Sequence, residues 1–172
     1  MNIHSLPIGD KAPDIFNALI EIPSGTHNKY EYDEKLDVIK LDRVLHSPFF
    51  YPVDYGFIPE TRAEDGDHLD VLLITDSPTF PGCLVECRPI GLFQMSDEKG
   101  VDDKILAVPL KNPHYKNVQE LEDLEQQLLD EIAHFFEQYK KLEKKAVKIL
   151  GWKGKGEALK VIEATRKEYR TH

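Results

Sequence analysis

Cysteine is scarce in this chain, with only two among 172 residues. Cys83 and Cys87 share one run, Cys-Leu-Val-Glu-Cys, that reads as a strand. At about 3.3 Å per residue their Cα atoms stand roughly 13 Å apart, beyond the reach of an intrachain disulfide. No second Cys/His cluster completes a zinc site around them, so both are expected to be reduced thiols in the core. Long apolar runs are also lacking. The longest, such as Val71–Ile74, have the length of a strand, whereas a membrane-crossing helix needs about 20 apolar residues. The first residues carry neither the basic stretch nor the apolar core of a secretory signal. The expectation is a soluble, cytoplasmic protein with no membrane partner. Basic charge is short as well: 22 Lys and Arg face 31 Asp and Glu, for a formal net charge of −9. That balance opposes non-specific binding to nucleic acid, whose affinity comes from basic surface. With no repeat, low-complexity tract or linker in view, residues 1–172 are expected to form one domain with enough apolar content for a proper core.

What is present divides into strands first and helices later. Asp14–Pro23, Asn28–Asp33, Leu36–Leu45, Leu69–Thr75, Cys83–Met95 and Lys104–Leu110 read as strands between Pro, Gly and Asp clusters. From Asn117 the pattern turns helical. Asn117 with Glu120 suggests a capping box, and Val118, Leu121, Leu124, Leu128, Ile132, Phe135 and Tyr139 recur at helical spacing. A Gly-rich turn, Gly151–Gly156, precedes a second helix over Glu157–Tyr169. This order predicts an α+β domain, a small antiparallel barrel with helices packed outside.

Several charges fall in phase with apolar strand neighbours: Glu21 with Ile15 and Leu19, Arg43 with Ile39, Leu41 and Leu45, Asp70 with Leu72 and Ile74, and Asp102 and Lys104 with Leu106 and Val108. Side chains two apart on a strand point the same way. An unpaired charge buried there costs several kcal/mol, so an inward acid implies a cation or a wet cavity. One such residue would be explained by snorkelling from a strand end; five together ask for more. Two loops concentrate acids: Glu64-Asp65-Gly66-Asp67-His68-Leu69-Asp70, and Asp97 to Lys104 with Glu98, Asp102 and Asp103. Oxygen-rich clusters suit hard cations such as Mg²⁺ or Mn²⁺. The first loop does not follow the register of an EF-hand, and no Glu closes it at twelve residues. Cations and phenols are scattered beside these acids: Lys29 and Glu31 alternate on one strand, Arg43 ends another, Phe50 to Gly56 is a rigid aromatic segment, and Tyr139-Lys140 closes the long helix.

Taken together, these blocks resemble the family I soluble inorganic pyrophosphatases of the short, prokaryotic type. The resemblance runs through Ile20-Glu21-Ile22-Pro23, Lys29-Tyr30-Glu31, Asp42-Arg43, Phe50-Tyr51-Pro52 with Asp54-Tyr55-Gly56, and Asp65 to Val71. It continues through Cys87 to Gly91, Met95 to Lys104, and Ala133-His134-Phe135-Phe136 leading to Tyr139-Lys140. It implies a five-stranded OB-type antiparallel barrel with two flanking helices and an acidic cavity at its mouth. It also implies hydrolysis of pyrophosphate to two orthophosphates with several Mg²⁺ ions per site, Mn²⁺ or Zn²⁺ being possible substitutes. Asp65, Asp70 and Asp102 would hold the metals that activate water, and Asp97 with Asp102 the metal arriving with substrate. Asp67 would accept the proton of the attacking water. Lys29, Arg43, Tyr55, Lys104, Tyr139 and Lys140 would bind the two phosphates, while Glu21, Glu31 and Tyr51 would complete the cavity. A homohexamer built from two trimers is implied too, with the His134-bearing helix near a subunit contact. Separately, the apolar Phe135-Phe136 pair makes a stripe too wide for one barrel contact and is expected to serve that assembly.

Two positions depart from the family pattern. His68 stands where Pro or Glu is usual, and Gln138 where such members often carry a histidine one turn beyond His134. Two other functions compete. A hydrolase of nucleotides or phosphomonoesters would need a pocket for a base or alcohol, and an oligonucleotide-binding OB module would need a basic aromatic stripe.

Overall fold

The computed structural model describes residues 2–171. Along the chain run β1 (Phe16–Ile22), β2 (Asn28–Asp33), β3 (Val38–Val44), β4 (Asp54–Ile58), β5 (Leu69–Leu73), β6 (Leu84–Asp97), β7 (Gly100–Val101), β8 (Lys104–Pro109), α1 (Gln126–Gln138), β9 (Lys148–Gly154) and α2 (Lys155–Thr171). Five strands close on themselves in the order β1-β4-β5-β8-β6 and back to β1. The expected five-stranded ring with two helices is therefore present. Its expected antiparallel character needs correction, because β5 and β8 pair in parallel, from Asp70 opposite Lys104 to Leu73 opposite Ala107. The reason is topological: strand directions cannot alternate all the way round a closed ring of odd number.

Period-2 alternation then feeds two apolar layers. Leu69, Val71 and Leu73 of β5 join Ile105 and Ala107 of β8 in a cluster that reaches Ala158 and Ile162 of α2. Leu72, Ile74, Leu106 and Val108 point the other way, beneath Leu129, Ile132, Phe135 and Phe136 of α1. With both faces covered, these strands bury almost every side chain, as the patterns of β5 and β8 show. At Gly56 in β4 the backbone of β1 comes so close that a Cβ would lie 2.8 Å from the Ile20 Cα.

β2 and β3 form a separate two-stranded ribbon. Tyr32 and Ile39 pack it onto Leu19 and Phe57 of the ring, leaving a cleft between ribbon and ring. The phase shared with Leu41 predicts a common face for Arg43 and Leu41. A register irregularity breaks that phase, pairing Arg43 with Lys29 but Leu41 with Tyr30, so Leu41 is 51% exposed while Arg43 borders the cleft.

Other expectations shift. Strand β4 begins within the aromatic segment and runs past Gly56 to Ile58, and the turn expected at Gly151 lies within β9, which pairs with β6. The long helix starts at Gln126 rather than near Asn117. In place of an Asn117–Glu120 box, the Asp123 carboxylate accepts N–H groups of Gln119 and Glu120 at 2.8 and 3.0 Å, stabilising a separate short turn. Val118, Leu121 and Leu124 still pack on the core, but from a loop and the short turn Leu121–Asp123. Phe135 and Phe136 are 4% and 1% exposed, consumed within the chain by contacts to Tyr51 and Phe93, so they offer no surface to a partner. Both cysteines are free, and burial pushes both thiols above their ordinary range. Among the described residues, no helix is long and apolar enough to cross a membrane.

Candidate active site

The acidic loops, the ribbon and the end of α1 meet around one open cleft of about 960 Å³. Glu21, Lys29, Glu31, Arg43, Tyr55, Asp65, Asp67, Asp70, Asp97, Asp102, Tyr139 and Lys140 all line it, although they come from seven separate stretches of chain. Lys104 and Tyr51 are expected site residues that lie beneath the lining. Tyr51 is 2% exposed and packs behind the site, with its ring edge-on to Tyr55 at 5.7 Å and tilted against Phe135 at 4.7 Å. Its expected place in the cavity wall is corrected to a support of Tyr55.

Lys104 forms the floor. It opens β8 beside Asp70 near the start of β5, on the face that α1 covers. Its Nζ lies 2.6 Å from Asp70 Oδ2, 2.6 Å from Asp102 Oδ1 and 3.1 Å from the Tyr55 hydroxyl, and Tyr55 also donates to Asp70. The rings of Tyr55 and Phe136 face the ammonium at 5.2 and 5.5 Å. Although burial pulls a lysine's pKa down, Asp70 and Asp102 hold Lys104 well above its ordinary value. The ammonium is thus permanently charged, and it offsets only part of the negative charge around it.

The remaining acids show the imbalance. Burial, reinforced by Asp65, pushes Asp67 up. Burial also pushes Asp102 up, with Asp70 adding and Lys104 opposing. Glu21 is 8% exposed; it accepts the Tyr32 N–H at 2.7 Å, yet burial raises its carboxyl to about 8. Asp97, at the end of β6, behaves oppositely. Burial acts to raise it, but Lys140 at 2.8 Å and the Lys99 N–H hold it low. Lys29 pairs with Glu31 on the same strand.

The loop bearing Asp65, Asp67 and Asp70 is pinned from behind. Thr61 Oγ1 donates to the Ile58 carbonyl at 2.5 Å and accepts the Leu69 N–H at 2.9 Å. Arg62 donates to the Gly66 carbonyl. His68 donates from Nδ1 to the Thr61 carbonyl at 2.9 Å, and its ring stacks on Phe57 at 4.6 Å. Stacking and hydrogen bonding thus supply restraint at a position where proline would have supplied it through φ. Burial pushes the His68 pKa down, which keeps the ring neutral at pH 7.

Among the described residues no three His, Cys, Asp or Glu side chains converge tightly enough to hold a metal as they stand; Asp70 and Asp102 meet at an ammonium instead. The donor chemistry nevertheless fits hard divalent cations. Asp65, Asp70, Asp97 and Asp102 present only oxygen to one cleft, and burial, which pushes Asp67 and Asp102 up, disfavours their ionised forms unless a cation stands nearby.

Sequence reasoning misses Asp42, Arg62, Lys99, Glu143 and Lys145. Arg62, Lys99 and Lys145 line the cleft, while Asp42 and Glu143 grip Arg43. Asp42 is in view beside Arg43, but Glu143 sits in a Lys-rich stretch whose path no periodicity discloses.

Comparison with known proteins places this arrangement. Residues 18–170 match the family model described as inorganic pyrophosphatase. The chain is 50% identical over 170 residues to the inorganic pyrophosphatase of Synechocystis sp., covering 99% of this chain and 100% of that protein. The solved inorganic pyrophosphatase of Thermus thermophilus superposes with a TM-score of 0.96 at 47% identity, covering 99% of each chain. That of Helicobacter pylori gives 0.92 at 38% identity, covering 96% of this chain and 99% of the other.

Proposed function

The chain belongs to the inorganic pyrophosphatase family, and from that premise we propose that its cleft hydrolyses free pyrophosphate to two orthophosphates with Mg²⁺. The observation that carries this reading is the division of charge in the cleft. Carboxylates of both acidic loops meet at Lys104 on the floor, while Lys29, Arg43 and Lys140 stand on the walls. Pyrophosphate is a polyanion that acids alone would repel; separate cations and metal-competent oxygens accommodate it.

Asp65, Asp70, Asp97 and Asp102 would hold Mg²⁺, with Mn²⁺ or Zn²⁺ as substitutes. Bound there, the metal would offset carboxylate charge, polarise phosphoryl oxygens and lower the pKa of water. Asp67 takes the proton of the attacking water; a carboxylate whose affinity for protons is raised by burial is better matched to that task than a free one. Arg43 can engage phosphate oxygens two at a time, whereas Lys29, Lys104 and Lys140 act as point charges on the transferring and leaving phosphates. Tyr55 and Tyr139 donate hydroxyls, their phenols kept protonated by burial. Glu21 and Glu31 complete the polar wall, and Tyr51 supports Tyr55. A homohexamer and a cytoplasmic location belong to the same reading on family grounds, and the buried Phe135 and Phe136 contribute nothing to that assembly.

Phosphate release from pyrophosphate, ATP and a simple phosphomonoester, each with Mg²⁺, tests the reading. Pyrophosphate is expected to be strongly preferred. Equal rates on ATP would favour the nucleotide hydrolase instead.

A further inference from the structure

Arg43 reaches the cleft from β3, a strand whose residues are mostly exposed. Within the ribbon its neighbour Asp42 holds one end of this long side chain. A second carboxylate reaches it from outside the ribbon. Glu143 accepts from Nε at 2.5 Å and from Nη2 at 3.4 Å, and Asp42 accepts from Nη1 at 2.6 Å. Glu143 lies 100 residues along the chain from Arg43, in the short turn after α1. Its side chain is 7% exposed against 26% for Arg43. Arg43 lines the cleft and Glu143 does not, so the carboxylate grips the guanidinium from behind. A guanidinium carries five N–H groups. Glu143 and Asp42 engage three of them, which leaves two for an anion in the cleft.

The turn bearing Glu143 is tied to the opposite wall as well. Lys140, just before it, pairs with Asp97 at 2.8 Å, and Lys145, just after it, with Glu98 at 3.7 Å. The stretch 140–145 therefore links the ribbon to the β6–β7 tip across the mouth of the cleft.

We propose that Glu143 is a positioning residue for Arg43: it holds the guanidinium from outside the cleft, with the two remaining N–H groups available inside, and so sets the affinity for pyrophosphate without touching it. The inference rests on the reading of Arg43 as a phosphate-binding residue. Pre-ordering a flexible cation removes a cost that binding would otherwise carry. An interaction made equally in bound substrate and transition state changes KM rather than kcat.

The test uses the full chain with Glu143→Gln, Glu143→Ala, Arg43→Ala and the Glu143→Ala/Arg43→Ala pair. Kinetics on pyrophosphate are measured in Mg²⁺, and orthophosphate binding by calorimetry. Glu143→Ala should raise KM and weaken orthophosphate about 10-fold, with kcat changed by less than about threefold. Glu143→Gln keeps an acceptor oxygen for Nε and should lose about threefold. The double variant should be no worse than Arg43→Ala alone. Should Glu143→Ala fail to fold, Glu143→Gln with an unchanged melting temperature carries the same test. A KM that falls or stays constant in the Glu143 variants overturns the proposal, as do additive losses in the double variant. If Arg43→Ala itself leaves KM unchanged, the reading of Arg43 fails and the inference falls with it.

Discussion

Lys104 and Asp70 are register partners in the parallel β5–β8 pairing, and their side chains meet at 2.6 Å in a place where Lys104 is 1% exposed. Backbone pairing thus sets the ammonium beside the carboxylate without help from a ligand. Replacing Lys104 with Met would leave Asp70 and Asp102 facing each other without a cation. Loss of one partner from a buried ion pair costs about 3–5 kcal/mol, so urea unfolding of the metal-free Lys104→Met variant should show a loss of that size at pH 7. Added Mg²⁺ should stabilise the variant more than the wild type. Equal stability of the two metal-free proteins would contradict this account of the floor.

Gly56 tests the ring. A methyl group there would meet the β1 backbone at Leu19 and Ile20, and backbone cannot rotate away as a side chain can. Gly56→Ala should cost several kcal/mol, beyond the ~1–3 kcal/mol usual for overpacking a core, and should displace Tyr55 next to it. A melting temperature within a few degrees of wild type would show that β1 and β4 are less tightly apposed.

Glu21 gives a pH dependence of definite sign. Its carboxyl rises from 4.5 to about 8 on folding because it is buried, so the fold binds that proton more tightly than the unfolded chain does. The resulting stability is whole below about pH 4.5 and is lost as pH climbs through 8. Glu21→Gln lacks this loss. In metal-free protein the stability of wild type relative to Glu21→Gln should therefore fall between pH 5 and pH 8, by at most about 5 kcal/mol. A difference that is flat in pH, or one that grows, would contradict the burial assigned to Glu21.

Legibility in the sequence follows how local each signal is. Asp65, Asp67 and Asp70 lie in one loop, and Asp97 to Lys104 in another, so charge in phase with apolar neighbours marks both within a few residues of chain. β1, β2, β3, β5, β6 and β8 are readable as alternating or apolar runs between Pro, Gly and Asp clusters. β4 is not, because Pro52 and Gly56 interrupt the aromatic run, which reads only as a rigid segment, and in the fold that glycine is where two strands touch. β9 is hidden in the same way by Gly151, whose φ of 115° serves an irregularity in a strand pair. The 117–125 stretch keeps helical spacing but forms only one short 3₁₀ turn, Leu121–Asp123, with the Asp123 carboxylate accepting the N–H groups of Gln119 and Glu120 at its start. Glu143 is out of reach because its meaning depends on Arg43, and only tertiary structure brings the two together.

The division of labour between Asp67 and Asp70 bears most directly on the proposed chemistry. The decisive measurement is kcat on pyrophosphate for Asp67→Asn and Asp70→Asn across a range of Mg²⁺ and pH. With Asp70 as a proposed metal ligand, Asp70→Asn should weaken metal binding, so its activity should fall and be partly restored at high Mg²⁺. Asp67→Asn would remove the proposed proton acceptor, a loss typically worth about 10²–10⁴-fold; it should persist at saturating Mg²⁺, with the acidic limb of the pH profile lost or shifted. Rescue of Asp67→Asn by Mg²⁺, with none for Asp70→Asn, would contradict the assignment and exchange the two roles.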